Sequence, residues 1–191
     1  MTGPRPLDHG WWLASRSAGL VALLLVTASV GLGLLMAGRV MRKPGMGKVL
    51  TKVHEQLALS ALVAMAVHAV TLLGDPFLRP GVRGILVPFT MSHRPAFTGL
   101  GILGFYLAAL LGLSFYVRRR IGPRLWRRLH KLTLAVYVMG VVHTLGAGSD
   151  ASTPWLRTAM LVTAAPILFL FLARVIGPAP RRPATAPGRA R

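Results

Sequence analysis

Long apolar runs alternate with short basic or Pro/Gly-rich stretches along this chain, and the alternation predicts five membrane-crossing helices rather than a soluble core. The run Ala18 to Gly38 has 21 residues without a charge, enough to cross a hydrocarbon layer of about 30 Å. Further spans follow, so that the five cover about residues 14–38, 53–74, 96–117, 126–147 and 155–174. Trp11 and Trp12 stand where an interfacial anchor belongs, and Gly31, Gly33 and Gly38 would let a neighbouring helix or a flat cofactor approach the first span. Gly74-Asp75-Pro76 stops the second helix. The connection Pro76 to Pro95, with four prolines and an apolar Ile85-Leu86-Val87 patch, is expected to fold over the bundle end as a lid. Pro166 marks the place where the fifth span would kink. The fold class is therefore an all-α integral membrane bundle, with residues 1–10 a short stub, 11–176 the helical domain and 177–191 a disordered Pro/Ala/Arg-rich tail.

Composition agrees with spans and adds an orientation. Over half of the 191 residues are hydrophobic (53%), and only four are acidic. The formal charge of +19 comes in short blocks between apolar runs, so the partner it implies is lipid headgroup and not nucleic acid. Five Lys and Arg lie between spans one and two, seven between three and four, and five from Arg174 to the end, together seventeen of the 23. By the positive-inside rule these segments are cytoplasmic, the N-terminus is outside, and spans two and four run parallel from inside to outside. The expected location is the cytoplasmic (inner) membrane. Cysteine is absent, so thiolate metal sites and iron–sulfur clusters are excluded.

Two spans carry histidines in matched positions. His54 and His68 are fourteen residues apart on span two, about 21 Å along the axis and nearly on one face. His130 and His143 are thirteen apart on span four. With the two helices parallel, His54 comes level with His130 near the inner side and His68 with His143 near the outer side. Ionisable groups inside a membrane are costly and mark function, and neutral imidazole is a strong axial ligand for haem iron. Two level pairs can clamp two haems, one above the other. Thirteen residues leave His143 about 140° from His130 on an ideal helix, so either span four tilts or distorts, with Gly140 a candidate hinge, or the two haems are offset laterally. His9 and His93 lie outside the spans and read as surface residues, and Glu55 after His54 does not make the H-E-x-x-H of a zinc protease.

The paired spacings, with the local strings LHKLTLAVYVMGVVHTLGAGSD and HAVTLLGDPF, resemble the ferric reductase-like transmembrane domain. That superfamily includes ferric-chelate reductases, NADPH oxidases and the haem-binding membrane subunit of a periplasmic methionine sulfoxide reductase. The resemblance covers roughly Trp12 to Arg174. It implies two b-type haems, one held by His54 and His130 and the other by His68 and His143, relaying electrons across the bilayer with no open coordination position. The ferric reductases and oxidases usually add a flavin and nicotinamide domain. Here no G-x-G-x-x-G precedes a plausible strand and helix. The chain is in that respect similar to the stand-alone subunit, and the expected donor is a flavoprotein or quinol on the inner side. The expected acceptor is a periplasmic reductase or ferric iron on the outer side.

Haem propionates need cationic partners. Arg16 and Arg94 are the candidates near the outer pair, where their charge would raise the potential, and Arg127 and Lys131 those near the inner pair. Two other classes fit the same histidines: a metal or proton carrier, or a membrane anchor without chemistry of its own. Bound colour, bound colourless metal or neither distinguishes the three.

Overall fold

The computed structural model describes residues 9–38 and 45–176; the N-terminal stub, the first basic loop from Arg39 to Pro44 and the C-terminal tail lie outside them. Seven helices run in order: α1 Gly10–Ala37, α2 Met46–Leu72, α3 Gly81–Leu86, α4 Pro95–Ile121, α5 Pro123–His130, α6 Thr133–Ala147 and α7 Pro154–Ile176. Among the described residues there is no strand. Five of these stretches are long and apolar enough to cross a membrane, with α5 and α6 together forming the fourth. Each crossing helix turns large apolar side chains outward: Leu24, Val63, Leu110, Val138 and Leu161 are all more than half exposed. Such a surface requires lipid as its solvent, and the chain is a multi-pass membrane protein.

α1 lies along α2 and α4 along α6, while α7 packs on α1. α2, which carries His54 and His68, makes no substantial packing with α5, which ends at His130, or with α6, which carries His143. Buried Val26, Ala61, Tyr137 and Ile167, one each from α1, α2, α6 and α7, form a mid-bundle layer with Met65, Leu134 and Val141 around it. Ala61 is seven residues from His54 and seven from His68, so this apolar layer separates the two histidine levels.

Two expectations change. The fourth crossing bends at Lys131-Leu132, directly after His130, and not at Gly140, which stays inside α6. Lys131, Leu132, Leu134 and Ala135 N–H groups each donate to the carbonyl three residues back (3.3, 2.9, 3.3 and 2.9 Å). Such winding advances about 120° per residue instead of 100°, so four residues add roughly 80° and bring the 140° offset between His130 and His143 down to about 60°. The Pro76–Pro95 connection contains α3 and docks along α4 instead of spanning the bundle end: Phe89 sits on Gly99, and the Tyr106 hydroxyl donates to Leu86 O at 2.5 Å. Asp75 organises its start, its Oδ1 accepting the N–H groups of Phe77 (2.8 Å) and Leu78 (3.0 Å). α7 continues through Pro166.

Candidate functional site

The four histidines come together as two pairs. His54 and His130 have ring centroids 6.0 Å apart with planes at 84°, and His68 and His143 have centroids 6.2 Å apart at 75°. Two imidazoles ligating one metal from opposite sides, at about 2.0 Å per bond and with each nitrogen about 1.1 Å from its ring centre, would place their centroids roughly 6.2 Å apart. Both pairs have that separation.

What holds each ring is as informative as where it sits. His68 Nδ1–H donates to Ser15 O at 2.8 Å, and the Ser15 hydroxyl returns a bond to His68 O at 3.2 Å. His54 Nδ1–H donates to Ser29 O at 3.0 Å, with the Ser29 hydroxyl 3.2 Å from the same nitrogen. His143 Nδ1–H donates to Phe97 O at 2.9 Å. A backbone carbonyl cannot donate, so these contacts fix the tautomer and leave Nε2 as the basic nitrogen, the arrangement that orients histidine ligands in metal sites. His130 differs: its Nδ1 is buried and has no partner among the described residues. Its ring is stacked on Trp126 instead, centroids 4.7 Å apart and planes at 22°.

Glycines make the room. A Cβ on Gly19 would stand 3.0 Å from His68 Nδ1, one on Gly33 3.4 Å from His54 Cε1, and one on Gly101 2.5 Å from His143 Nδ1. Ser15 with Gly19 and Ser29 with Gly33 are therefore two copies of one Ser-x-x-x-Gly cradle, fourteen residues apart on α1. They face, in antiparallel register, two histidines fourteen apart on α2. Gly33 is singled out in the sequence for close approach of a helix or a flat cofactor, and Ser15, Gly19, Ser29 and Gly101 are not singled out at all. The repeated cradle with the same spacing as the histidines was the signal available.

Arg16 and Arg94 lie at the His68/His143 level, but each has a protein partner. Arg16 grips Asp150 with two bonds, Nε to Oδ2 at 2.5 Å and a terminal nitrogen to Oδ1 at 2.7 Å. Arg94 donates to Gly146 O at 2.5 Å. Ser15 and Phe97, which receive the histidine protons, are one residue from Arg16 and three from Arg94. Arg127 and Lys131 are exposed near His130.

Among the described residues no three His, Asp or Glu side chains converge on one point. The histidines come in twos. A pair leaves tetrahedral zinc two ligands short, whereas a planar macrocycle supplies four equatorial nitrogens and needs two axial ones. Two imidazoles facing each other at each level, with no third protein ligand among the described residues, fit such a group.

A multi-pass helical membrane protein with two stacked paired-imidazole sites is the class that fold and site define. Residues 18–141, well over half of the chain, match the family described as ferric reductase like transmembrane component, and the chain belongs to that family. The match takes in His54, His68 and His130 and ends two residues before His143. No curated protein and no solved structure matches the chain.

Proposed function

We propose that this protein binds two haem b groups and relays electrons across the cytoplasmic membrane. The observation that carries the reading is the equal separation of the two histidine pairs, 6.0 and 6.2 Å, at the value two axial imidazoles require. Haem, when bound, would supply the one-electron redox chemistry of the relay. His54 with His130, and His68 with His143, would hold the two groups. Ser15, Ser29 and Phe97 hold three of the rings through their carbonyls and strengthen them as donors. The apolar layer at Ala61 and Tyr137 keeps water out between the two levels. Arg16 and Arg94 supply positive charge beside the His68/His143 site.

Orientation rests on the basic residues: the α4–α5 junction with Arg118, Arg119, Arg120 and Arg124 is cytoplasmic, and the Asp150 loop is outside. His54/His130 is then the inner site, facing a flavoprotein or quinol donor, and His68/His143 the outer site, facing a periplasmic reductase or ferric iron. An inside-negative potential favours outward movement of an electron by about 2.3 kcal/mol per 100 mV for a full crossing.

The test is the purified full chain. The proposal expects a Soret band, split α-bands on reduction, and about two haems per chain. A colourless protein carrying zinc or nickel would favour the carrier reading, and one carrying neither would favour an anchor.

A further inference from the structure

Three of the four histidines are oriented by a hydrogen bond from Nδ1 to a backbone carbonyl, and the fourth is not. Among the described residues, His130 Nδ1 is buried without an acceptor. A ring left so would be free to turn about its Cβ–Cγ bond, since nothing on its far nitrogen selects one orientation. The same helix supplies a different restraint. Trp126 precedes His130 by four residues, one turn of α5, and lies nearly parallel to it at 4.7 Å.

Trp126 is itself held. Its Nε1–H donates to Ser114 Oγ at 3.0 Å, and Ser114 in turn donates to the carbonyl of buried Leu111 at 2.6 Å, so the indole is pinned to the core side of α4. Phe115 borders its other side, ring centres 6.0 Å apart, and Arg118 covers Phe115 at 3.8 Å. A tryptophan serving only as an interfacial anchor keeps its N–H toward the headgroups. Here the N–H is spent inside the bundle, on a hydroxyl that has its own acceptor.

We infer that Trp126 is the positioning residue of the inner site: pinned by Ser114, its indole face fixes the plane of His130 in place of the missing Nδ1 hydrogen bond. The 84° angle between His54 and His130 follows, with Ser29 setting one plane and Trp126 the other. A second consequence concerns potential. Hydrogen bonding at Nδ1 makes an imidazole a stronger donor and stabilises the oxidised metal, so the missing bond raises the inner midpoint above what two such bonds would give that site, while Arg16 and Arg94 raise the outer one. The inner site has one and the outer site two.

This inference rests on the haem reading proposed above. It is tested in the full chain with Trp126→Leu, Trp126→Phe and Ser114→Ala, by haem content, low-temperature EPR and redox titration. Near-perpendicular axial planes give a highly anisotropic low-spin signal. Trp126→Leu is expected to weaken or shift the inner signal and its midpoint, leaving the outer ones in place. Trp126→Phe, which keeps a stacking face, should restore most of the wild-type signal, and Ser114→Ala should move the inner signal by less than Trp126→Leu does. Inner signals and midpoints superimposable on wild type in Trp126→Leu overturn the inference. So does a shift confined to the outer haem. Where Trp126→Leu does not fold, an unmoved inner signal in Ser114→Ala overturns it equally. A wild-type chain without haem, or His130→Ala retaining two haems, sinks the ligand assignment and this inference with it. Two haems lost pairwise with Trp126 inert sinks the inference alone.

Discussion

Arg16 and Asp150 are joined by two short bonds, 2.5 and 2.7 Å, that tie the start of α1 to the loop after α6 across 134 residues of sequence. It is the sole ion pair among the described residues, and the Asp150 side chain is only 12% exposed. Arg16 therefore does two things at once: it neutralises a nearly buried carboxylate and brings positive charge close to Ser15, the residue that orients His68.

Removing one partner of such a pair leaves the other charge poorly solvated. Arg16→Gln should lower stability by about 1–3 kcal/mol, and Arg16→Gln with Asp150→Asn should recover most of it. Thermal unfolding in detergent checks both. The same single variant should lower the midpoint of the outer haem more than that of the inner one, because the uncompensated Asp150 charge opposes reduction nearby.

Residue type revealed the spans and the four histidines, because apolar runs of twenty residues and imidazoles within them are visible in one sequence. The partners of the imidazoles were hidden. Ser15, Ser29 and Phe97 act through backbone carbonyls, which every residue has, so the identity of Phe97 carries no trace of its bond to His143. The cradle glycines were partly legible, since Gly19 and Gly33 repeat the fourteen-residue spacing of His54 and His68. The thirteen-residue spacing left a distortion of span four as one of two ways to level the histidines, and did not locate the break after His130. The tight turn at Lys131-Leu132 lacks the Gly or Pro that usually marks one. Arg16 was chosen for its place beside the first apolar run, and its bond to Asp150 depends on a loop from the far end of the fourth span.

Gly101 offers a steric test of the outer site. An alanine there would put its Cβ 2.5 Å from His143 Nδ1, too close for both to stay. Gly101→Ala should displace the ring, weaken the His143 to Phe97 bond and reduce outer haem content, at a cost to stability of about 1–3 kcal/mol. Gly31→Ala, whose Cβ meets nothing within 4 Å, is the control and should bind haem as wild type does. Haem-to-protein ratios of the two variants, purified side by side, give the answer.

Sidedness can be read directly because the chain has no cysteine of its own. A single cysteine at Ala151, beside Asp150, should react with an impermeant maleimide in intact cells or spheroplasts, and one at Arg124 should react only after lysis. The opposite pattern would exchange the donor and acceptor sides.

The central claim is that the histidines act as two independent pairs, and haem counting in four single variants tests it most directly. His54→Ala and His130→Ala should each leave about one haem with the spectrum of the outer site, and His68→Ala and His143→Ala about one with that of the inner site. Identical spectra within each pair and different spectra between pairs are the expected result. Variants of one pair that leave different haems, or any of the four that keeps both, would contradict the pairing of His54 with His130 and of His68 with His143.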